Sequence, residues 1–311
     1  MATVPLDWSA YPPPEFTGGA VTVGNFDGVH RGHQALVAAA RKQADAVKGP
    51  AVAVTFDPPP HQVLHPDSGP PRPPLTTLTD RAELLHEAGA DHVVILRTSP
   101  ALLALSPEAF FEDVLVRQLG AKALAEGHDF RFGRGRAGTN DTLRSLCAAA
   151  GLAFEEVPQL DYEGEPVSSS RVRAAIVGGD VTLAAELLAR PYRIAGTVTT
   201  GAKRGRTIGF PTANLADVPT VLPGNGVYAV RAGDGGKMWP GAANVGPNPT
   251  FGEDARKVEV HLIGFAGDLY GRSMAVDFVA RLRDTRPFGT VDELVEQLRR
   301  DVERVKDVQN I

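Results

Sequence analysis

Ten residues, Gly-Asn-Phe-Asp-Gly-Val-His-Arg-Gly-His (24–33), follow the apolar run Ala-Val-Thr-Val and open a run of helix formers. Glycines at 24, 28 and 32 let backbone approach a ligand closely. A helix starting near Gly32 would present unpaired amides and the positive end of its dipole, which favours anions. His30 and His33 are three apart, so on a first helical turn they lie side by side and can both donate to phosphate oxygens. A metal reading is weaker, because no third ligand of fitting spacing stands close by. On this stretch alone, an ordinary strand-to-helix turn stays open.

Two further segments suit phosphate. Gly-His-Asp-Phe-Arg-Phe-Gly-Arg-Gly-Arg (127–136) surrounds Phe130 and Phe132 with Arg131, Arg134 and Arg136, so aromatic faces could meet a flat ring and guanidinium groups a phosphate. Val-Ser-Ser-Ser-Arg-Val-Arg (167–173) places hydroxyls at an expected helix start with Arg173 one turn on. The alternatives are a solvated basic loop for the first and a plain serine cap for the second. Further on, residues 196–215 join a basic glycine loop to Pro211-Thr212-Ala213-Asn214. Gly201, Lys203, Gly205 and Arg206 can wrap phosphates by amides and charge, and Thr212 and Asn214 offer hard oxygens from one side if extended, which suits Mg²⁺ with ATP. Glu259 alternates with Val258 and Val260 in a strand pattern, where a carboxylate is ordinarily just solvent-facing.

These residues need two kinds of scaffold. From residue 20 to about 186, short apolar runs at 20–24, 50–56, 91–97, 121–127 and 152–158 alternate with amphipathic helical stretches, the pattern of a parallel sheet covered on both faces. Thr79 and Gly89 bound one such helix, and Ser106, Pro107 and Gly120 bound another. In such sheets ligands bind at the carboxyl ends of strands, and the 24–33 segment sits at the end of the first run. After about residue 190 the strands alternate apolar and polar residues between Gly- and Pro-rich turns, which reads as an antiparallel barrel or sandwich. A final helix is expected to pack on it. Thr290 and Glu293 form its capping box, and Val291, Leu294, Val295, Leu298, Val302 and Val305 form its apolar stripe. The domains are therefore drawn as 1–186 and 187–311, and the Pro-rich stretch 65–75 is assigned to a mobile loop of the first.

Composition supports two ordinary globular domains: 311 residues, 43% hydrophobic, 22% charged, net charge -5. That balance gives no general basic field for nucleic acid. The lone Cys147 excludes an intrachain disulfide and fits a reducing compartment, and it reads as a small buried residue of a helix. No apolar run approaches the ~18 residues needed to span a bilayer, and the N-terminus lacks a signal-peptide pattern, so a cytoplasmic protein is expected.

Taken in order, the motifs at 23–33, 56–60, 127–139 and 167–173 resemble the adenylyltransferase module of bacterial bifunctional riboflavin kinase/FAD synthetases. Those at 209–214, 222–230, 241–252, 258–262 and 268–271 resemble the riboflavin kinase module of the same family. The resemblance covers nearly the whole chain. It implies a Rossmann-like nucleotidyltransferase domain followed by a six-stranded barrel. It also implies an enzyme that phosphorylates riboflavin to FMN and then adenylylates FMN to FAD, using ATP and Mg²⁺. By it, His30 and His33 bind ATP phosphates within a motif that includes Gly24, Asn25, Phe26, Asp27, Gly28 and Gly32. Asp129 lies near the adenylyl-transfer site, and Ser169, Ser170 and Arg173 hold phosphates. Thr212 and Asn214 bind Mg²⁺ and phosphate, Glu259 is the general base, and Asn244, Asn248 and Thr250 shape flavin-side loops.

Departures from the family pattern are Pro59, where histidine is common, and Ser170, where threonine is usual. His61, two residues beyond Pro59, leaves open whether it substitutes. Asp284 and Arg286 either line the flavin entrance or form a surface pair. The rival readings are a nucleotidyltransferase for another phosphorylated small molecule, and a flavin-binding regulator without turnover. Oligomeric state is left open.

Overall fold

A computed structural model describes residues 1–67, 69–70, 72–201, 204–234, 236–248 and 253–310. By packing, the chain divides into two compact units, Met1–Arg72 with Leu78–Val167, and Pro73–Thr77 with Ser168–Ile311.

The first unit holds six parallel strands: β1 (Ala2–Leu6), β2 (Ala20–Val23), β3 (Ala51–Asp57), β4 (His92–Arg97), β5 (Ala123–Gly127) and β6 (Ala153–Val157), in the order β1-β4-β3-β2-β5-β6. The five expected strands form, and β1, which the sequence reading left out, pairs with β4 at the edge. From β2 the chain winds outward through β3 and β4, then returns to the other side of β2 with β5. The strand order therefore reverses between β2 and β5, where a ligand crevice is expected beyond the carboxyl ends.

Helix α1 (Arg31–Val47) lies close to the sheet because small side chains meet there, Ala39, Ala40 and Ala44 from the helix and Ala20, Ala51, Ala123 and Ala125 from the strands. The remaining helices of this unit are α2 (Pro60–Leu64), α3 (Leu78–Glu87), α4 (Pro100–Leu103), α5 (Pro107–Ala109) and α6 (Asn140–Ala150). Helix α5 continues into π-type turns over Phe110–Gln118. Helix α3 starts one residue before Thr79, so Thr79 lies inside its first turn; the sequence Thr-Thr-Leu-Thr offers several caps, and the pattern alone does not choose among them. Ser106 does cap α5, accepting from the Ala109 amide at 3.2 Å. Cys147 is buried, and its thiol is pushed up to about 11, first by burial and then by Glu126. A short hairpin, β7 (Asp161–Tyr162) and β8 (Glu165–Pro166), completes the unit.

The second unit begins with α7 (Ser169–Gly178) and α8 (Val181–Leu188) and closes an antiparallel barrel. Its strands are β9 (Tyr192–Thr199), β10 (Ala213–Ala216), β11 (Gly226–Gly233), β12 (Met238–Asn248), β13 (Glu253–Leu262) and β14 (Ser273–Arg283), in the order β10-β13-β12-β11-β14-β9. A short helix, α9 (Arg204–Thr207), precedes β10, and α10 (Val291–Gln309) ends the chain. Residues 168–186 thus pack with the barrel rather than with the parallel sheet: the Gly224 amide donates to the Ile176 carbonyl at 2.9 Å, and Gly179 leaves no room for a Cβ beside Tyr228. Part of the Pro-rich stretch joins them, since Arg173 donates to the Pro73 carbonyl at 2.6 Å and the Val221 amide to that of Pro74 at 3.0 Å. Ser68 and Pro71 of that stretch lie outside the described residues.

Helix α10 packs as expected at its carboxyl end, where Val305 is fully buried, but Val291 is exposed. Polar ties fasten it as well. Asp301, 1% exposed, takes Arg283 bidentately at 2.8–3.1 Å, and Gln309 donates to the Val230 carbonyl at 2.9 Å. Among the described residues no helix is long and apolar enough to cross a membrane.

Candidate active sites

Beyond β2 the chain turns through three left-handed residues, Phe26 at φ +46°, Gly28 at +84° and Val29 at +40°. A β-branched residue in that region is strained and persists only when its surroundings fix it. They do so here: Phe26 and Val29 are buried in a cluster with Val37, Ala53, Ala82, Leu85 and Val93. The helix starts at Arg31, and His30 is its N-cap, with Nδ1 accepting from the His33 amide at 3.3 Å. That bond places a lone pair on Nδ1, so His30 carries its proton on Nε2. The rings of His30 and His33 stack at 3.6 Å and 18°. They are therefore layered, rather than projecting as separate prongs from a helical turn. Burial, then His30, then Arg81 hold His33 well below the usual imidazole range, and its Nδ1 is buried without a hydrogen-bond partner.

Sequence reasoning missed Arg81. On α3, in the polar-looking stretch Thr-Asp-Arg-Ala-Glu, it is 3% exposed and sits 3.5 Å from Asp27. Only folding shows it, because one arginine in an amphipathic helix carries no signal of its own.

At the carboxyl end of β5, beside β2, the second phosphate-suited segment is held by Asn140, whose Nδ2 donates to the Gly127 and His128 carbonyls at 2.9 and 3.1 Å. Phe130 and Phe132 stack at 5.5 Å, and a Cβ at Gly138 would fall 2.6 Å from the Phe132 ring. Asp129, Arg131, Arg134 and Arg136 are exposed around this aromatic pair. Beneath it, Glu126 is 1% exposed and accepts from the Val23 amide at 2.8 Å; burial pushes its carboxyl well above the usual range. The turn at Gly24–His33, Asp129 and the aromatic pair thus all belong to the crevice end of one sheet. Pro59 precedes α2, and His61 lies exposed on it.

Ser169, Ser170 and Arg173 stand in the second unit, at the start of α7. The capping hydroxyl is that of Ser168, accepting from the Arg171 amide at 3.2 Å, which leaves Ser169 and Ser170 in the first turn.

In the barrel, strand register brings the expected residues together. Asn214 is paired with Glu259 and with Thr199, and Glu259 with Asn244, so Thr199, Asn214, Glu259 and Asn244 form one row across four strands. The adjoining row, Val198, Leu215, Val258 and Val245, is buried, so the polar row faces away from the core. Glycines bring the preceding loop down onto this row. A Cβ at Gly201 would stand 2.3 Å from Asn214 Nδ2, and one at Gly205 would stand 2.2 Å from the Phe210 carbonyl and 3.5 Å from Thr212 Oγ1. A cavity of about 190 Å³ is lined by Arg206, Thr212, Phe265 and Tyr270, and by Val198, Ala213 and Val260 on the opposite face of the strands from the polar row. Lys203 and Thr250 lie outside the described residues, as does the side chain of Asn248. Asp284 pairs with Arg281 at 2.7 Å, and Arg286 donates to Gln297 at 3.1 Å and lies over Phe288.

Hard oxygens from Thr212, Asn214 and Glu259 beside a close-fitting loop are donors that suit Mg²⁺. Among the described residues there is no group of three or more His, Cys, Asp or Glu that could hold a metal ion.

A family model described as FAD synthetase matches residues 13–171, and one described as riboflavin kinase matches residues 188–309. A bifunctional riboflavin kinase/FMN adenylyltransferase of Pseudomonas fluorescens is 39% identical over 290 residues, covering 93% of this chain and 92% of that one. One from Bacillus subtilis is 36% identical over 287 residues, covering 90% and 89%. A crystal structure from Streptococcus pneumoniae, described as a macrolide-efflux protein, superposes with a TM-score of 0.88 at 32% identity over 98% of both chains. Sheet, barrel and these matches define a two-domain transferase that handles nucleotide phosphates. The chain belongs to the bifunctional riboflavin kinase/FMN adenylyltransferases, enzymes of flavin-cofactor synthesis.

Proposed function

We propose that the chain makes FAD from riboflavin in two ATP-dependent steps, the first on the barrel (187–311) and the second on the amino-terminal domain (1–186). The observation that carries this is the pairing of Glu259 with Asn214 and Asn244 in one outward row beneath a loop that only glycine can bring so close. In the first step the Glu259 carboxylate accepts the proton of the riboflavin 5′-hydroxyl as that oxygen attacks the γ-phosphorus, giving FMN and ADP. Thr212 and Asn214 hold Mg²⁺, which when bound neutralises and orients the transferring phosphates. Gly201, Gly205 and Arg206 enclose them, and the adenosine end of ATP fits the cavity that Arg206 and Thr212 line.

In the second step an FMN phosphate oxygen attacks the α-phosphorus of another ATP, giving FAD and pyrophosphate. The nucleophile is already ionised at neutral pH, so no base is required. Catalysis is positioning and charge stabilisation. His30 donates from Nε2, His33 stacks behind it, and the α1 amides and the residues from Gly24 to Gly32 line the phosphates. Ser169, Ser170 and Arg173 supply further donors, and Asp129 stands by the transfer site. The substrates are small molecules handled where ATP is plentiful, and the acidic composition gives no field for nucleic acid; this favours the cytoplasm.

The test is a time course of purified protein with riboflavin, ATP and Mg²⁺, separated by chromatography. FMN should rise and then convert to FAD. Bound flavin without ATP consumption would instead support a regulator.

A further inference from the structure

Among the described residues Arg81 is the one buried lysine or arginine. Burying a guanidinium is costly, and an apolar residue of similar size would serve a purely structural role as well or better. Its own partners repay that cost incompletely. Asp27 is 3.5 Å away, Thr55 Oγ1 is 3.4 Å away, and Nε is buried with no partner.

What Arg81 reaches is informative. The Thr55 hydroxyl that accepts from Arg81 donates in turn to the Asn25 carbonyl at 3.1 Å. Asn25 and Asp27 flank Phe26, the left-handed residue that turns the chain toward His30. Both flanks of the strained residue are therefore tied to one side chain. The same guanidinium charge acts on His33, and the other charged or titratable groups there are the stacked His30, Asp27 in the turn and Asp57 at the end of β3. Asp27 and Asp57 favour the guanidinium charge, against its burial.

We propose that Arg81 is a positioning residue of the adenylyl-transfer step, holding Asn25 and Asp27 about Phe26 and setting a fixed positive charge near His33. This rests on the reading of the Gly24–His33 turn as the ATP site of that step. Arg81 touches no substrate; it acts through the turn and through His33.

The experiment uses full-length protein supplied with FMN, ATP and Mg²⁺, together with NMR titration of the His33 imidazole. Arg81→Met should lower kcat for FAD formation by about 10-fold or more and move the His33 midpoint upward, with kinase turnover unchanged. Arg81→Lys should return the midpoint, because the charge is back, but only part of kcat, because the fork is not. Thr55→Val should lower kcat a few-fold and leave the midpoint in place. Equal losses in both Arg81 variants with no movement of His33 would reduce Arg81 to structural support and overturn the proposal. Should Arg81→Met not fold, wild-type kcat in Thr55→Val together with wild-type kcat in Arg81→Lys would overturn it, because neither the tie through Thr55 nor the guanidinium fork would then matter. If instead His33→Ala kept full FAD formation, the reading of the site would fall while the His33 titration still tested its coupling to Arg81.

Discussion

On the proposed reading the turn after β2 and the polar row on the barrel both take phosphates, yet they are built from opposite materials. The turn offers N–H groups: a histidine whose cap bond fixes its proton on Nε2, a second histidine held neutral, and helix amides, with a buried guanidinium behind them. The row offers oxygens, from Thr199, Asn214, Glu259 and Asn244, under a glycine loop. The nucleophiles explain the difference. A phosphate oxygen attacks without losing a proton, so its site needs donors to receive growing negative charge. An alcohol must lose its proton, so its site needs a carboxylate and oxygens that fit a hard cation.

That contrast can be broken by variants that strike one side only. Glu259→Gln should have the largest effect, lowering riboflavin phosphorylation by about 10²- to 10⁴-fold while FAD still forms from supplied FMN. Retained kinase turnover would remove Glu259 from the role of base. His33→Ala should lower FAD formation by about 10²-fold and spare FMN formation, as separate assays with riboflavin and with FMN would show. Equal loss in both would refute independent sites. Gly201→Ala should raise the kinase KM for ATP by about 10-fold, because a methyl would collide with Asn214, and leave adenylylation alone.

The smallest effect concerns stability, and it sharpens the comparison by separating the turn from the buried acid below it. Burial raises the Glu126 carboxyl above its usual value of 4.5, so the folded state is penalised as pH rises through and above that value, where the unfolded chain ionises freely. Glu126→Gln keeps an oxygen for the Val23 amide. It should raise Tm at pH 7.5 and change it little near pH 4, by thermal unfolding at both. An unchanged Tm at pH 7.5 would mean the carboxyl carries no such penalty.

Much of this was legible in the residues and some was not. Buried parallel strands announce themselves as apolar runs, and the phosphate turn as glycines and histidines between strand and helix. Strand β1 did not, because Ala2–Leu6 is short, holds a proline and is exposed over most of its length. Strand β12 was hidden by Pro240, Gly241 and Gly246. The row of Asn214, Glu259 and Asn244 depends on register between strands far apart in sequence, which spacing within one strand cannot give. Arg81 is invisible for a similar reason: its burial comes from the packing of α3 beneath the turn. The helix α7, read with the sheet from its serine motif, packs with the barrel because Ile176 and Gly179 meet Gly224 and Tyr228.

The most direct test of two chemistries on two sites is to follow which phosphorus of ATP enters which product. Protein is incubated with riboflavin, Mg²⁺ and ATP labelled at either the α- or the γ-phosphorus, and the flavins are separated over time. The γ label should enter FMN first and be carried into FAD, and the α label should enter FAD alone. The α label in FMN, or FAD lacking the γ label, would contradict the account.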